Sequence, residues 1–168
     1  MIYISDYDSP LGRITIAIKE EKLVGLWFYE QKYYMAGIKE YQVNHQKSMI
    51  VKTKKWLDAY FSSGSFPISE LEIELEVSDF RKAVYKALSC IPYGETRTYK
   101  EITDAVLKYC GKQKMSSQAV GNAIAHNPIS IIIPCHRVIG TNGKLKGYAG
   151  GLDKKEWLLS FEGKNIIL

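Results

Sequence analysis

TYKEITDAVLKYCGKQKMSSQAVGNAIAHNP, residues 98–128, reads as two helices joined by a short polar loop. Thr98 with Glu101 three positions on is a capping box, in which hydroxyl and carboxylate satisfy the backbone N–H groups that a helix start leaves open. It opens a helix through about Tyr109, and Gly111 stops it, since glycine accepts the left-handed backbone found just past helix ends. Ser116 or Ser117 then caps QAVGNAIA, which Asn127-Pro128 closes because the residue before a proline is pushed away from helical backbone. Two helices at this spacing predict a helix-turn-helix.

Toward the C-terminus, Asp153 and Glu156 form a second capping box, predicting a helix to about Glu162 with Gly163 at its end. Toward the N-terminus, Ser78 can cap a helix running to about Cys90, which the turn Ile91-Pro92-Tyr93-Gly94 terminates. The grammar before Ser78 is different. IYISDY, RITIAI with Ile14, Ile16 and Ile18 on one face, and LVGLWF are short β-type runs separated by Ser9–Gly12 and by the charged Lys19–Lys22 turn, predicting an antiparallel meander. From Gln46 to Phe61, Met49, Ile50, Thr53, Trp56, Leu57 and Tyr60 recur at helical spacing. LEIELEV, 71–77, alternates strictly and is expected to be a strand with its glutamates facing water. The expected fold class is α+β: a lobe of residues 1–78 with a small antiparallel sheet and a helix, a hinge at Ser78, and a mostly helical lobe of residues 79–168.

At 46% hydrophobic and 24% charged residues, the 168-residue chain falls in the globular class rather than the disordered one. No run approaches the ~20 apolar residues of a membrane span, and the N-terminus carries aspartates where a signal peptide carries lysine or arginine, so a cytoplasmic location and no membrane partner are expected. Three cysteines, Cys90, Cys110 and Cys135, in no paired motif suit a reducing compartment, and Cys90 and Cys110 read as packing residues. A structural metal held by cysteine and histidine is not expected in residues 1–78, which hold no cysteine and only His45. Charge divides unevenly. Residues 1–78 hold nine Lys and Arg against eleven Asp and Glu, and residues 79–168 hold fourteen against seven. The second half therefore carries the positive field, which points to a polyanionic partner, nucleic acid first, although a lysine-rich solubilising surface gives the same count.

The second helix of the pair is unusually small on the side read as exposed: Ala119, Gly121, Asn122, Ala123 and Ala125. Such a face permits close approach to DNA by shape or in the minor groove, and equally permits tight helix packing inside the protein. The remaining chemistry lies in IIIPCHRVIG, 131–140. A base or cation beside a cysteine raises the thiolate fraction that makes it a nucleophile. The apolar run holds the segment in the core and Pro134 breaks any ladder there; on a regular strand Cys135 and His136 would point to opposite faces, so they cooperate only if the backbone bends or a water bridges them. A buried structural thiol beside a satisfied histidine is the competing reading.

Taken as a set, YGETRTY at 93–99, AVGNAIAHNP at 119–128, IPCHRVIG at 133–140, GYAGG at 147–151 and KEWLLSFEG at 155–163 closely resemble the O6-alkylguanine-DNA alkyltransferases, the suicide DNA-repair methyltransferases. The resemblance covers nearly all of residues 79–168; for 1–78 it is architectural. It implies a ribonuclease-H-like N-terminal lobe, a winged helix-turn-helix-like DNA-binding lobe, no cofactor, and a monomer whose partner is double-stranded DNA containing O6-alkylguanine, with O4-alkylthymine a further substrate. It implies that Cys135 accepts the alkyl group irreversibly, that His136 is its base through a water, that Glu162 orients the imidazole, and that Tyr99 protonates the leaving guanine. It implies that Asn127 ties the helix pair to the active-site segment, and Arg137 is expected to brace that segment through buried hydrogen bonds rather than touch substrate. Tyr148, Ala149 and Gly150 wall the guanine pocket, and main-chain carbonyls near Cys135 and Val138 read the exocyclic amine. The resemblance further implies that the base is flipped through the minor groove by the helix carrying Gln118, Ala119, Asn122 and Ala123, with Arg97, Lys100, Lys112 and Lys114 available for phosphates. Several members carry arginine where Gln118 stands, and glutamine lacks that charge and planar fork. Two other functions fit parts of the pattern: a damage-binding protein that flips the base without reacting, which Cys135 argues against, and a Cys-His acyl-transfer hydrolase, which the lack of a Gly-rich nucleophile turn argues against.

Overall fold

The computed structural model describes residues 1–63, 70–112 and 114–163, in two compact units that divide between Glu76 and Val77. In the first unit β1 (Ile2–Ser9), β2 (Gly12–Lys19) and β3 (Lys22–Phe28) form the expected antiparallel meander, and β4 (Gln42–Val43) adds to β1 in parallel, giving the order β3-β2-β1-β4. Both faces of this sheet are covered. Ile14, Ile16 and Ile18 are fully buried, and so are Thr15 and Ala17 between them. Helix α1 (Ser48–Ser63) packs on the sheet and buries the six positions whose spacing predicts it, Met49, Ile50, Thr53, Trp56, Leu57 and Tyr60. A second cluster joins Ile4, Ala17 and Trp27, partly covered by Tyr34, Met35 and Ile38 from the connection between β3 and β4. The Trp27 ring lies where a side chain at Gly25 would stand, so only glycine fits there.

The strand expected at 71–77 does not form. Among the described residues the segment makes one parallel bridge, Leu23 to Ile73, with the Leu23 N–H donating to Glu72 O (2.7 Å) and the Glu74 N–H to Leu23 O (3.0 Å). Its outward glutamates are instead held by ion pairs, Glu74 with Lys22 at 3.1 Å and Glu76 with Lys19. Alternation specifies a half-buried extended chain, and it is silent on whether an edge continues beside it.

The second unit is helical. Helix α2 (Asp79–Ser89) is capped by Ser78, whose hydroxyl accepts the Arg81 N–H at 3.3 Å, and ends at Cys90 before the turn at 91–94. Helix α3 (Tyr99–Cys110) starts on the expected capping box, with Glu101 N–H to Thr98 Oγ1 at 3.1 Å and Thr98 N–H to Glu101 Oε2 at 2.7 Å, and stops at Gly111 with φ +63°. Helix α4 (Ser117–Ala125) is capped by Ser116. A two-residue parallel pair, β5 (Arg97–Thr98) with β6 (Val138–Ile139), ties the entry of α3 to the segment after Cys135. Helix α5 (Leu152–Phe161) departs from the second expected capping box. It begins after Gly151, whose φ of +100° turns the chain, and no side chain caps it. Asp153 folds back instead, its Oδ1 only 2.7 Å from where a Cβ on Gly151 would lie, and meets the helix N-terminus as a first-turn carboxylate. No helix among the described residues is long and apolar enough to cross a membrane.

Candidate active site

The site is built on the loop between α4 and β6. Asn127, buried just past α4, folds that loop: its Nδ2 donates to Ile129 O (3.2 Å) and Ile133 O (2.8 Å), and its Oδ1 accepts the Ile129 N–H (3.0 Å). The isoleucine run is not a strand. Ile132 N–H donates to Ser130 O (2.8 Å) across Ile131, which sits at φ +67°, a γ-turn that is strained for a β-branched residue. Pro134 centres a second γ-turn of the opposite hand, with φ −81°, ψ 62° and the Cys135 N–H on Ile133 O at 2.8 Å. The chain therefore bends into a single 3-10 turn, Cys135–Arg137. Successive side chains on such a turn point about 120° apart. Adjacent cysteine, histidine and arginine can each take a separate task, which an extended chain would forbid.

All three are buried, His136 completely. His136 Nε2 lies 2.8 Å from Glu162 Oε1, and Arg137 grips the same carboxylate twice, Nε to Oε2 and Nη2 to Oε1, both at 2.8 Å. The remaining Arg137 Nη1 donates to Ile91 O at 2.8 Å. Glu162 caps the C-terminal end of α5, so two segments 25 residues apart close on one another here. Burial would raise the Glu162 carboxyl, but the hydrogen bonds from His136 and Arg137 outweigh it and bring it down to about 2. Burial pulls His136 below its ordinary value against the opposing pull of Glu162, leaving a neutral imidazole. Since a carboxylate only accepts, Nε2 carries the proton and Nδ1 is a bare acceptor, with no protein hydrogen-bond partner among the described residues. A buried base nitrogen of that kind is suited to a water.

Burial pushes the Cys135 thiol up, with Asn127, the charge of Lys155 and the local backbone amides drawing it back. The resting sulfur is thus a thiol rather than the thiolate that its neighbours suggest in the sequence. Tyr99 opens α3; burial raises its phenol, and its hydroxyl donates to Lys146 O at 3.3 Å. Val138 is buried on β6, and Tyr148, Ala149 and Gly150 form a half-buried turn ahead of α5. Lys155 is missing from the sequence reading. It is completely buried, and burial brings it down to about 8. It occupies the same face of α5 as Leu158, Leu159 and Glu162, at positions i, i+3, i+4 and i+7, so helical spacing marks it as inward.

Helix α4 turns Val120, Ala123 and Ile124 inward and leaves Gln118, Ala119 and Asn122 exposed. Ala123 therefore does not belong to the outward face: it is 1% exposed, and its carbonyl accepts the Tyr85 hydroxyl at 3.0 Å. The reason is the 3.6-residue period, which places it beside Val120. Lys100, Lys112 and Lys114 are exposed, whereas Arg97 is half-buried on β5 and paired with Glu95 at 2.9 Å. Cys90 is exposed as well, not packed, with its sulfur 3.9 Å from the Tyr109 hydroxyl.

Two family models match the chain. That of the 6-O-methylguanine DNA methyltransferase DNA-binding domain covers residues 79–164, and that of the ribonuclease-like domain of the same methyltransferases covers residues 2–75. The methylated-DNA–protein-cysteine methyltransferase of Methanosarcina barkeri is 45% identical over 165 residues, 98% of this chain and 99% of that protein. The enzyme of the same name from Mycolicibacterium paratuberculosis is 38% identical over 98% of the chain and 94% of its own length. A crystal structure of Mycobacterium tuberculosis OGT in complex with DNA superposes with a TM-score of 0.81 at 38% identity, covering 95% of this chain and 92% of that one.

Proposed function

Because the chain belongs to the 6-O-methylguanine DNA methyltransferase family over nearly its whole length, we propose that it repairs alkylated duplex DNA by moving the alkyl group from guanine O6 to its own Cys135, once per molecule. The observation that carries this reading is the 3-10 turn that presents Cys135, His136 and Arg137 together and fastens two of them to Glu162. In the reaction, His136 Nδ1 takes the thiol proton through a water, and Glu162 stabilises the imidazolium that results. The sulfur lone pair forms the S–C bond as the C–O6 bond breaks, and its electrons pass into the purine. Tyr99 gives its proton to a ring nitrogen, so guanine leaves neutral. A thioether is inert to hydrolysis, which makes the transfer stoichiometric.

The target base must leave the stack to meet a buried sulfur, and an alkylated guanine is easier to extrude because its pairing is already weakened. Helix α4, with Gln118, Ala119 and Asn122 outward, is the element that enters the minor groove, and the exposed Lys100, Lys112 and Lys114 meet phosphates. Tyr148–Gly150 walls the guanine pocket. The protein acts as a monomer, and O4-alkylthymine enters the same pocket. The test is mass analysis of peptides after incubation with a duplex holding one O6-methylguanine. One methyl per protein on Cys135 is expected; tight binding without mass gain, or a regenerated Cys135 after many turnovers, overturns the reading.

A further inference from the structure

Lys155 is a fully buried ammonium, and such a group is costly unless its N–H groups are met. Two of them are: Nζ donates to Lys146 O at 2.7 Å and Gly147 O at 3.2 Å, the residues that lead into Tyr148–Gly150. The Lys146 carbonyl also accepts the Tyr99 hydroxyl, and Nζ lies 5.9 Å from the centroid of that ring. No carboxylate is within ion-pair distance of Nζ among the described residues, whereas the other buried cation, Arg137, is matched by Glu162. The titratable groups around Lys155 come from separate elements: Tyr99 from α3, and Cys135 and His136 from the 3-10 turn. The charge of Lys155 draws the thiol down, and a thiolate at Cys135 draws Lys155 up.

Holding two carbonyls does not require a charge, since a neutral amide also carries two N–H donors. Nor does stability, because a methionine of similar length packs in such a place without the cost of desolvating an ion. A buried cation with no fixed anion is the arrangement expected where negative charge develops only during a reaction. We propose that Lys155 is a positioning residue of the transfer reaction: its ammonium holds the Lys146–Gly147 backbone under the pocket loop and serves as the counter-charge of the Cys135 thiolate. This rests on the alkyl-transfer reading above.

Proton counting gives a readout that a merely structural lysine would not move. The thiolate–ammonium and thiol–amine forms of the pair hold equal numbers of protons, so the two groups titrate together. Thiolate with ammonium is the faster-reacting form. The rate rises as the first proton leaves the pair and falls as the second leaves, with the lysine brought down to about 8 on its own account. Without the lysine charge the fall disappears and the thiol midpoint moves to higher pH.

Single-turnover transfer from an O6-methylguanine duplex is measured across the neutral-to-alkaline range for the wild type, Lys155→Gln and Lys155→Met. The thiol midpoint is followed by ultraviolet thiolate absorbance against Cys135→Ala. Glutamine keeps donors for the two carbonyls and removes the charge. Both variants are expected to keep their affinity for the duplex, lose roughly tenfold or more in rate at neutral pH, lose the alkaline fall, and show a raised thiol midpoint. Lys155→Gln at wild-type rate with an unchanged profile overturns the inference, even if Lys155→Met is slow, because the charge then plays no part. If Lys155→Met does not fold, Lys155→Gln decides. Should the wild type place no methyl on Cys135, the alkyl-transfer reading fails instead, and the absorbance titration, which needs no DNA, still decides whether Lys155 sets the thiol.

Discussion

Glu162 and Arg137 are joined by two parallel hydrogen bonds of 2.8 Å in a site from which the carboxylate is wholly withdrawn from solvent, and the same carboxylate holds His136. Arg137 thus has a second purpose besides bracing the turn: it keeps Glu162 ionised. Replacing Glu162 by Gln leaves a buried guanidinium without its anion, which costs about 3–5 kcal/mol. For a chain of this size that is roughly 10 °C in Tm. In the proposed reaction the transfer rate is expected to fall further than stability explains, because the imidazolium loses its partner. Thermal melts check the stability loss, and single-turnover rates taken well below the variant's own Tm check the rate; an unchanged rate removes Glu162 from the mechanism.

The same cluster predicts an acid limb in stability. Glu162 has its carboxyl depressed to about 2 from an ordinary 4.5, so its contribution is complete above pH 4.5 and is lost as pH falls toward 2. Integrated, that is about 3 kcal/mol. His136 acts in the same direction: held neutral when folded, it favours the unfolded chain as soon as pH drops below its ordinary value. Urea midpoints should therefore fall steeply from pH 6 to pH 3 in the wild type and more shallowly in Glu162→Gln. Equal slopes in the two proteins would falsify this assignment.

What the sequence made legible is what local chemistry decides. The box of Thr98 and Glu101 and the serine caps at Ser78 and Ser116 appear where their residue types put them, since a cap needs only its own turn. The meander and α1 follow from periodicity. The failures share a cause: a pattern states which face is buried and leaves open what lies against it. Residues 71–77 alternate yet meet β3 at one point, and Ile131–Ile133 are apolar yet curl into γ-turns because Asn127 and Pro134 fold them. At α5, Gly151 outcompeted the box of Asp153 and Glu156 by turning the chain earlier. Lys155 escaped notice because a lysine is read as surface by type, although its spacing puts it inside.

Asn127 is the joint between α4 and the loop that leads to Cys135. Asn127→Ala leaves the carbonyls of Ile129 and Ile133 and the Ile129 N–H without that side chain. Each buried group left unmet costs about 1–3 kcal/mol. The expected outcome is a less stable protein with a large loss in transfer rate, since Ile133 O also positions the Cys135 N–H. Asn127→Asp keeps the acceptor and should recover the bond from Ile129 N–H without recovering the rate. A fully active Asn127→Ala protein would show that the 3-10 turn forms without the joint.

Cys135→Ala separates chemistry from recognition. The sulfur is buried and takes part in no disulfide, so its loss leaves a cavity of one atom and a modest stability cost. Transfer should vanish, while affinity for a duplex with O6-methylguanine, measured by fluorescence anisotropy, stays close to that of the wild type. Loss of binding together with transfer would make the thiol a structural group.

The exposed tip of α4 tests how the duplex is held. Gln118 lies exposed in the first turn of α4, one residue before the exposed Ala119. If this end enters the flipped-base gap, an arginine at 118 fills the vacated stack with a planar cation and adds a phosphate-directed charge. Gln118→Arg should then raise duplex affinity at low salt, steepen its salt dependence by roughly one ion, and leave the transfer rate equal or faster. The N-terminal unit and the buried site are untouched by the change, so the melting temperature should not move. A severe loss of rate with the fold intact would place this end of α4 elsewhere on the DNA, because a side chain that only crowds the backbone slows docking without aiding extrusion.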